Sequence, residues 1–399
     1  MWRLGAFFHE MGFGLLSIFL PLYIVSPTVG GSVLDVGVMS AVALLACIPF
    51  SFLWGYLSDQ TRRYKRYILL SYLSSAVLLC VFAFTTSVFL LFALYVALSA
   101  FHVADEAPKN ILIAELYSSE EWEKGFAFYK GFAESGWLIG LLAGFILSVM
   151  NVGSTLTFMF CSFLNLAAFL LSLVLVADPM FIFERKLVRM EAAVDFASRG
   201  IALASNLLDG FTLQERLKKE NVLAFSAGLT FFSLATSMLF TPMPIFISSI
   251  TRGAQLPESL VFAVYVLSSL GAILGYLLTG KRSYKETAKS SIDRIVFLRC
   301  FLTFLFILTL YLTVHQVTIA ALLLFFMSAA YAVFLVHTLS LSMKIIPAGK
   351  AGLFNVLIGI GGACGSFVGP FLAEFSFFYV FAAAGTVFLL SWISFKAFA

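Results

Sequence analysis

The chain has 399 residues, 61% of them hydrophobic and only 12% charged, with a net charge of +4 and a mean hydropathy of +1.01. No soluble globular domain of this length carries such a composition, so a soluble enzyme and a nucleic-acid-binding domain are both excluded and the chain is expected to live in a bilayer. Crossing about 30 Å of hydrocarbon takes roughly 20 apolar residues, and segments of that length fill most of the sequence.

The first predicted span, 4–26, follows Met1-Trp2-Arg3 without a small-residue cleavage site and contains Glu10, so it reads as a retained helix and not a signal peptide. Glu10, Gly14, Ser17 and Pro21 share one of its faces, with His9 beside them. The second span, 35–57, runs into a charged hairpin, Gly55-Tyr56-Leu57-Ser58-Asp59-Gln60-Thr61-Arg62-Arg63-Tyr64-Lys65-Arg66, and the third follows at 67–86. The fourth, 88–114, holds the densest polar set: Ser99, His102, Asp105, Glu106, Lys109 and Asn110. Spacings of three and four put Ser99, His102, Glu106 and Asn110 on one stripe, which in a membrane helix implies a wet face. Counting about 1.5 Å per residue back from Leu116 sets Glu106 about 15 Å deep, near the bilayer midplane. Asp105 and Lys109 stand four apart with the acid first, the favourable order for an internal ion pair, and that leaves Glu106 as the proton carrier. The competing reading is a salt-bridge network that only fixes the fourth and fifth spans. The fifth span, 126–149, carries Lys130 and Glu134, again four apart, and Gly136, Gly140 and Gly144, a groove that admits a close helix neighbour. The sixth is 154–176.

The only long polar interval, about 178–220, has seven basic residues from Arg185 to Lys219. Its apolar Val194, Ala197, Ile201 and Ala204 recur at helical spacing, so it is either a surface amphipathic helix or a solvated linker. It divides the chain into an N-terminal bundle (1–177), a cytoplasmic linker (178–220) and a C-terminal bundle (221–399). The remaining spans are placed near 221–249, 259–279, 293–313, 317–343, 351–373 and 376–397. The seventh shows a hydroxyl stripe of Thr230, Ser233, Ser237 and Thr241, and the tenth offers Tyr331, His337 and Thr338. Arg299 falls near the cytoplasmic end of the ninth, so no arginine is expected in the middle of a span. All five cysteines lie in predicted spans, which supports neither a disulfide framework nor a metal knuckle.

The hairpin resembles the signature loop of the major facilitator superfamily, Gly-x-Leu-Ala-Asp-Arg-x-Gly-Arg-Lys, between helices 2 and 3. Gly55, Leu57, Asp59 and Arg63 fall on it, while Gln60 replaces a basic residue and Arg62 a glycine. The loop recurs as Gly275-Tyr276-Leu277 followed by Arg282, Tyr284 and Lys285; Pro21 through Ser26 recurs as Pro244 through Ser249, and the fifth-span glycines as Gly361, Gly365 and Gly369. The resemblance implies an all-α membrane protein of twelve transmembrane helices in two pseudo-symmetric six-helix bundles. It further implies secondary transport by alternating access, with spans 1, 4, 7 and 10 lining the path. A cytoplasmic gate would use Gly55, Asp59, Arg62 and Arg63, with Glu115 as the acid at the inner end of span 4. The repeat offset places Tyr331 opposite Glu106. Gly369-Pro370 is similar to the antiporter motif of the family, but stands in span 11 where the family has it in span 5.

The basic residues set the orientation, because Lys and Arg are retained on the cytoplasmic side of short loops; both termini are expected inside, in the plasma membrane. The reading is a monomeric, proton-coupled transporter of a small organic solute, efflux by antiport favoured over uptake by symport, with protons and lipid as its other partners and no nucleic acid. Coupling and substrate residues are expected among Glu10, His102, Asp105, Glu106, Lys109, Asn110, Lys130, Glu134, Tyr331 and His337. Two rivals stand beside it. A divalent-metal transporter would use His9, Glu10, His102, Asp105, Glu106 and His337, against which Lys109 and Lys130 speak; a non-transporting receptor could use the same scaffold. No Gly-x-x-x-x-Gly-Lys-Ser/Thr loop and no nucleophile with an ordered partner is present, so neither an enzyme nor a cofactor is expected.

Overall fold

The structure, a computed structural model, describes residues 3–106, 108–109, 112, 122–176, 222–254, 256–281, 288–312, 315–345 and 352–398. Among them every long element is a helix. The first half contains α1 (Arg3–Ile24), α2 (Val33–Thr61), α3 (Tyr64–Phe82), α4 (Val88–His102), α5 (Trp122–Val149) and α6 (Ser154–Leu175). The second contains α7 (Val222–Phe240, continued by Met243–Thr251), α8 (Pro257–Lys281), α9 (Ala288–Thr309), α10 (Gln316–Ile345), α11 (Gly352–Phe375) and α12 (Phe377–Phe398). Eleven of these rods are long and apolar enough to cross a membrane; α9 is the more polar one, because Lys289, Asp293, Arg294 and Arg299 fall within it. Side chains such as Phe89, Val174, Leu278 and Phe301 are exposed around the outside, as a hydrocarbon solvent allows and water does not. The interval 178–220, Asn110, Glu115 and the repeated loop at 282–285 lie outside the described residues.

Two prolines explain where helices depart from their expected course. The fourth span was expected to run as one helix to 114; α-helix is interrupted after His102 by a 3₁₀ turn at Val103–Asp105, and the described residues beyond it, Glu106, Pro108, Lys109 and Leu112, are helical again. Pro108 lacks the N–H that would bond the Ala104 carbonyl, and its ring crowds that carbonyl. In α7 the break at Thr241-Pro242 has the same cause. At the start of α2, Ser32 and Asp35 form a capping box: Ser32 N–H donates to Asp35 Oδ2 (2.7 Å) and Asp35 N–H donates to Ser32 Oγ (3.1 Å). Its other end closes at Arg62, whose φ of 54° is left-handed while its N–H donates to Ser58 O (2.8 Å). The position at which the family pattern has glycine is therefore the αL cap of α2.

The glycines make the packing. Gly136 and Gly140 of α5 lie against the α1 backbone at Phe7 and Met11, with no room for a side chain. In the second half Gly361, Gly365 and Gly369 of α11 seat α7 at Thr230, Leu234 and Met238 in the same manner. Within the first half α1 packs on α5 and α6, α3 on α6, and α2 on α4; within the second, α7 packs on α11 and α12, α8 on α10, and α9 on α10 and α12. Across the halves the extended contacts are α5 with α8 and α2 with α11. Gly144 of α5 meets the Phe262 ring of α8, and Gly37 of α2 meets Pro370 of α11.

Candidate functional site

A cavity of about 510 Å³ opens between α1, α2, α4 and α5 on one side and α7 and α11 on the other. Its walls are apolar and aromatic, with Phe13, Tyr95, Trp137 and Phe240, and are punctuated by the hydroxyls of Ser17, Ser40, Ser99, Thr236, Ser237, Thr241 and Ser366. None of its lining residues is ionisable at neutral pH. Such a lining suits a small, largely apolar solute with a few hydrogen-bonding groups. Two members of the seventh-span hydroxyl stripe, Ser237 and Thr241, are in this wall, and Thr241 Oγ1 donates to Ser366 Oγ across to α11 (3.1 Å). The other two are turned away: Thr230 Oγ1 donates to Ser226 O and Ser233 Oγ to Ile358 O.

Behind the wall of the first half is a buried ionic array. Trp54 Nε1 donates to Ala100 O (2.8 Å) and Ser71 Oγ to His102 O (3.3 Å), which fixes the end of α4 against α2 and α3. The 3₁₀ turn then directs Asp105 inward, where it is 2% exposed and ion-paired with Lys109 in the order that helix geometry favours. His9 of α1 is fully buried. Its Nδ1 bonds Asn165 Oδ1 (2.6 Å), and Asn165 Nδ2 in turn donates to Cys161 O (2.9 Å). The amide is thereby oriented, and the bonds assign the proton of neutral His9 to Nδ1. His9 Nε2 is then an acceptor, and His102 Nδ1, 3.0 Å away, is its donor. Asp105 Oδ2 stands 3.9 Å from the same Nε2. Tyr72 closes the array, with its ring 4.3 Å from that of His9 and 5.7 Å from Lys109 Nζ. Gly12 leaves the space: a Cβ there would stand 2.6 Å from Asn165 Nδ2.

The array reaches the cavity through two residues that belong to its lining. Phe13 packs on both imidazoles, with ring centroids 4.7 Å from His9 and 4.4 Å from His102, and Ser99 is one turn before His102. Glu106, next to Asp105, is exposed. Of the expected site residues, His102, Asp105 and Lys109 are thus together, with Glu106 at their edge. Glu10 and Lys130 are partly buried on α1 and α5. Glu134 accepts a hydrogen bond from Ser269 Oγ of α8 (2.7 Å), a direct link between the halves. His337 is partly buried on α10, and Thr338 bonds its own helix at Phe334 O. In the expected gate Gly55 faces open space, Arg62 caps α2, and Arg63 is exposed at the start of α3; Glu115 and the side chain of Asp59 are outside the described residues.

Sequence reasoning gave too little weight to His9, Asn165 and Tyr72, and it misplaced Arg299. The expectation that no arginine occupies the middle of a span is corrected: α9 begins at Ala288, so Arg299 is mid-helix, and it is fully buried. Its guanidinium lies 4.8 Å from the ring centre of Phe232, 5.0 Å from Phe388, 5.3 Å from Tyr331 and 5.6 Å from Phe240. Nη1 donates to Thr236 Oγ1 (3.2 Å), while Nε and Nη2 have no hydrogen-bond partner and no carboxylate is paired with it among the described residues. Phe297, Leu298 and Phe301 around it were the available signal, since a surface basic residue seldom has such neighbours. Tyr331, expected opposite Glu106, is 36% exposed and stacks on Phe232 at the edge of this box. Among the described residues no three His, Cys, Asp or Glu side chains are arranged to hold a metal ion.

Comparison with known proteins follows the same lines. Solved structures of similar fold include a mutant of the nucleoside transporter NupG, with TM-score 0.70 and 14% identity over 100% of this chain and 98% of that one. The human organic anion transporter MFSD10 gives 0.69 and 16% over 99% and 97%. A structure from work on substrate recognition in proton-dependent oligopeptide transporters gives 0.72 and 13% over 100% and 98%. At such identities the likeness carries the fold alone. Comparison with curated protein sequences gives no match. The sequence profile described as Major Facilitator Superfamily matches residues 4–370. With twelve helical rods, two equivalent glycine grooves and that match over nearly the whole length, the chain belongs to the major facilitator superfamily of membrane transporters.

Proposed function

We propose that this protein is a secondary active transporter of a small organic solute, coupled to protons and working by alternating access of the central cavity. The observation that carries the reading is the chain of titratable groups from the cavity wall into the first bundle: His102, His9, Asp105 and Lys109. Ionisable groups in hydrocarbon are costly and are tolerated where they work or pair. Glu106, exposed beside the array, takes up the proton from water. Once an added proton reaches the open Nε2 of His102, the Nδ1 proton of His102 can pass to His9 Nε2, 3.0 Å away. A positive charge then stands beside Asp105, which Lys109 already holds. The carboxylate becomes shared between two cations on α1 and α4, and the contact between these helices is the two-state element that the proton biases. Phe13 and Ser99 transmit the change to the solute.

The apolar, hydroxyl-bearing cavity favours an organic solute over a divalent metal. Export in exchange for protons is preferred to co-import because the lining suits amphiphilic solutes; Gly369-Pro370, similar to the antiporter motif, stands in span 11 where span 5 has Gly140-Leu141, and carries less. Rocking would hinge on the α5–α8 and α2–α11 contacts, with the Glu134–Ser269 bond crossing the first of these. Asp59, Arg62, Arg63 and Glu115 would close the cytoplasmic side, in a monomer in the plasma membrane with both termini inside.

Proton movement in proteoliposomes containing a pH-sensitive dye tests the reading. The solute panel is amphiphilic cations, sugars, carboxylates and divalent metals. Solute-triggered flux in the wild type that is lost in Glu106→Gln and in His102→Gln is expected. Flux that persists unchanged in both variants would sink proton coupling through this array.

A further inference from the structure

We infer that the central cavity recognises an organic anion, held at the Thr236 hydroxyl by the positive charge of Arg299 directly behind it. The inference rests on the reading of this cavity as the transport site and adds the substrate class. Most buried threonines of these helices turn their hydroxyl onto their own backbone: Thr279 onto Gly275 O, Thr303 onto Arg299 O and Thr338 onto Phe334 O. Thr236 differs. Its Oγ1 accepts from Arg299 Nη1 at 3.2 Å, and it lines the cavity. With its lone pair engaged by a guanidinium, the hydroxyl has its own proton left to donate, and a donor polarised by a cation prefers a charged acceptor.

The guanidinium has further capacity. It is fully buried, Nε and Nη2 have no hydrogen-bond partner, and no carboxylate offsets its charge among the described residues. Arginines kept inside proteins are ordinarily paired. Here four aromatic rings surround it, and Phe240 and Thr236 are both cavity wall, so a single layer of side chains separates the cation from the solute space. An anion in the cavity would supply the missing counter-charge, and the flanking rings suit a solute with an apolar or aromatic body. A carboxylate, sulfonate or phosphate monoester on such a body shares this chemistry.

Equilibrium binding to the full-length protein in detergent, without a membrane or proton gradient, tests the inference separately from coupling. Tryptophan fluorescence is the readout, because Trp137 is in the cavity wall. The probes are 2-naphthoate, octanoate, naphthalene-2-sulfonate and 2-naphthyl phosphate against the uncharged 2-naphthamide and octanamide. Saturable binding of at least one anion, about tenfold or more tighter than its amide, is expected. Thr236→Val should abolish that preference and Thr236→Ser restore it, and Arg299→Gln should also abolish it. Because Arg299→Gln can fail to fold, Thr236→Val, which keeps the buried guanidinium, decides independently. The inference is overturned if no anion binds, if the amides bind as tightly, or if the preference survives Thr236→Val. A protein that prefers anions yet moves no protons would sink only the coupling proposal.

Discussion

Changing Asp105 to Asn strips the buried Lys109 of its carboxylate while leaving shape almost intact, and the structure sets the size of the effect. The two side chains are 3% and 8% exposed, so water cannot replace the lost partner. Removing one member of a buried ion pair costs about 3–5 kcal/mol. Lys109 keeps the Tyr72 ring at 5.7 Å, but that contact is present before and after the change and offsets nothing, so the full loss of about 3–5 kcal/mol is expected. Lys109→Met should cost a similar amount, because it leaves the Asp105 carboxylate buried with only the proton-free Nε2 of His9 nearby, 3.9 Å away. The double variant removes both charges, and its loss should fall short of the sum of the single losses by about 2 kcal/mol or more. Unfolding in mixed micelles with increasing SDS, followed by circular dichroism, gives the four stabilities. Losses that add within about 0.5 kcal/mol would refute the claim that the two charges are energetically coupled.

Two further outcomes follow from the backbone. Gly140→Leu forces a side chain into the α1 backbone at Met11 and Leu15, so it should lose about 1–3 kcal/mol or more by overpacking and appear as a loss of monodisperse protein in size-exclusion chromatography. Arg62→Gly should raise the unfolding midpoint in micelles by the equivalent of about 1 kcal/mol, because glycine adopts the φ of 54° without penalty; a lowered midpoint would show that the contacts of the arginine outweigh its backbone strain.

The parts of this molecule legible in the sequence are those that depend on local spacing. Span positions follow from apolar run length, the α1–α5 and α7–α11 seams from glycine every fourth residue, and the Asp105–Lys109 pair from an interval of four. Partners distant in sequence were not legible. His9 and Asn165 are 156 residues apart, and nothing within either apolar span names the other. The shift of Asp105 inward was also hidden, because it depends on how Pro108 tightens the preceding turn. Arg299 was misread for a different reason: hydropathy places the start of a span where the charges end, whereas α9 continues through Lys289, Asp293 and Arg294 to begin at Ala288.

The duplication sharpens what each half contributes. Gly140 and Gly365 are equivalent, an offset of 365 − 140 = 225. The same offset carries His102, Asp105 and Lys109 onto Met327, Ala330 and Phe334, and the offset of 234 − 11 = 223 between the α1 and α7 residues that face these glycines carries His9 onto Phe232, all apolar. In the other direction the loop offset of 275 − 55 = 220 carries Arg299 onto Leu79, and Glu106 corresponds to Tyr331, whose ring lies against the Arg299 guanidinium. One scaffold has therefore kept its glycine seams in both copies, since these set helix spacing, while its buried charges have gone to different places. Repeated charge in both bundles would double the desolvation cost without adding a second task. Division avoids that: in the proposed reading the first bundle handles the proton at the His9–Asp105 array and the second holds the solute at Thr236. The hydroxyl-lined cavity between them is where the two can be coupled, because each charge stands one side-chain layer behind it and neither is exposed to the other.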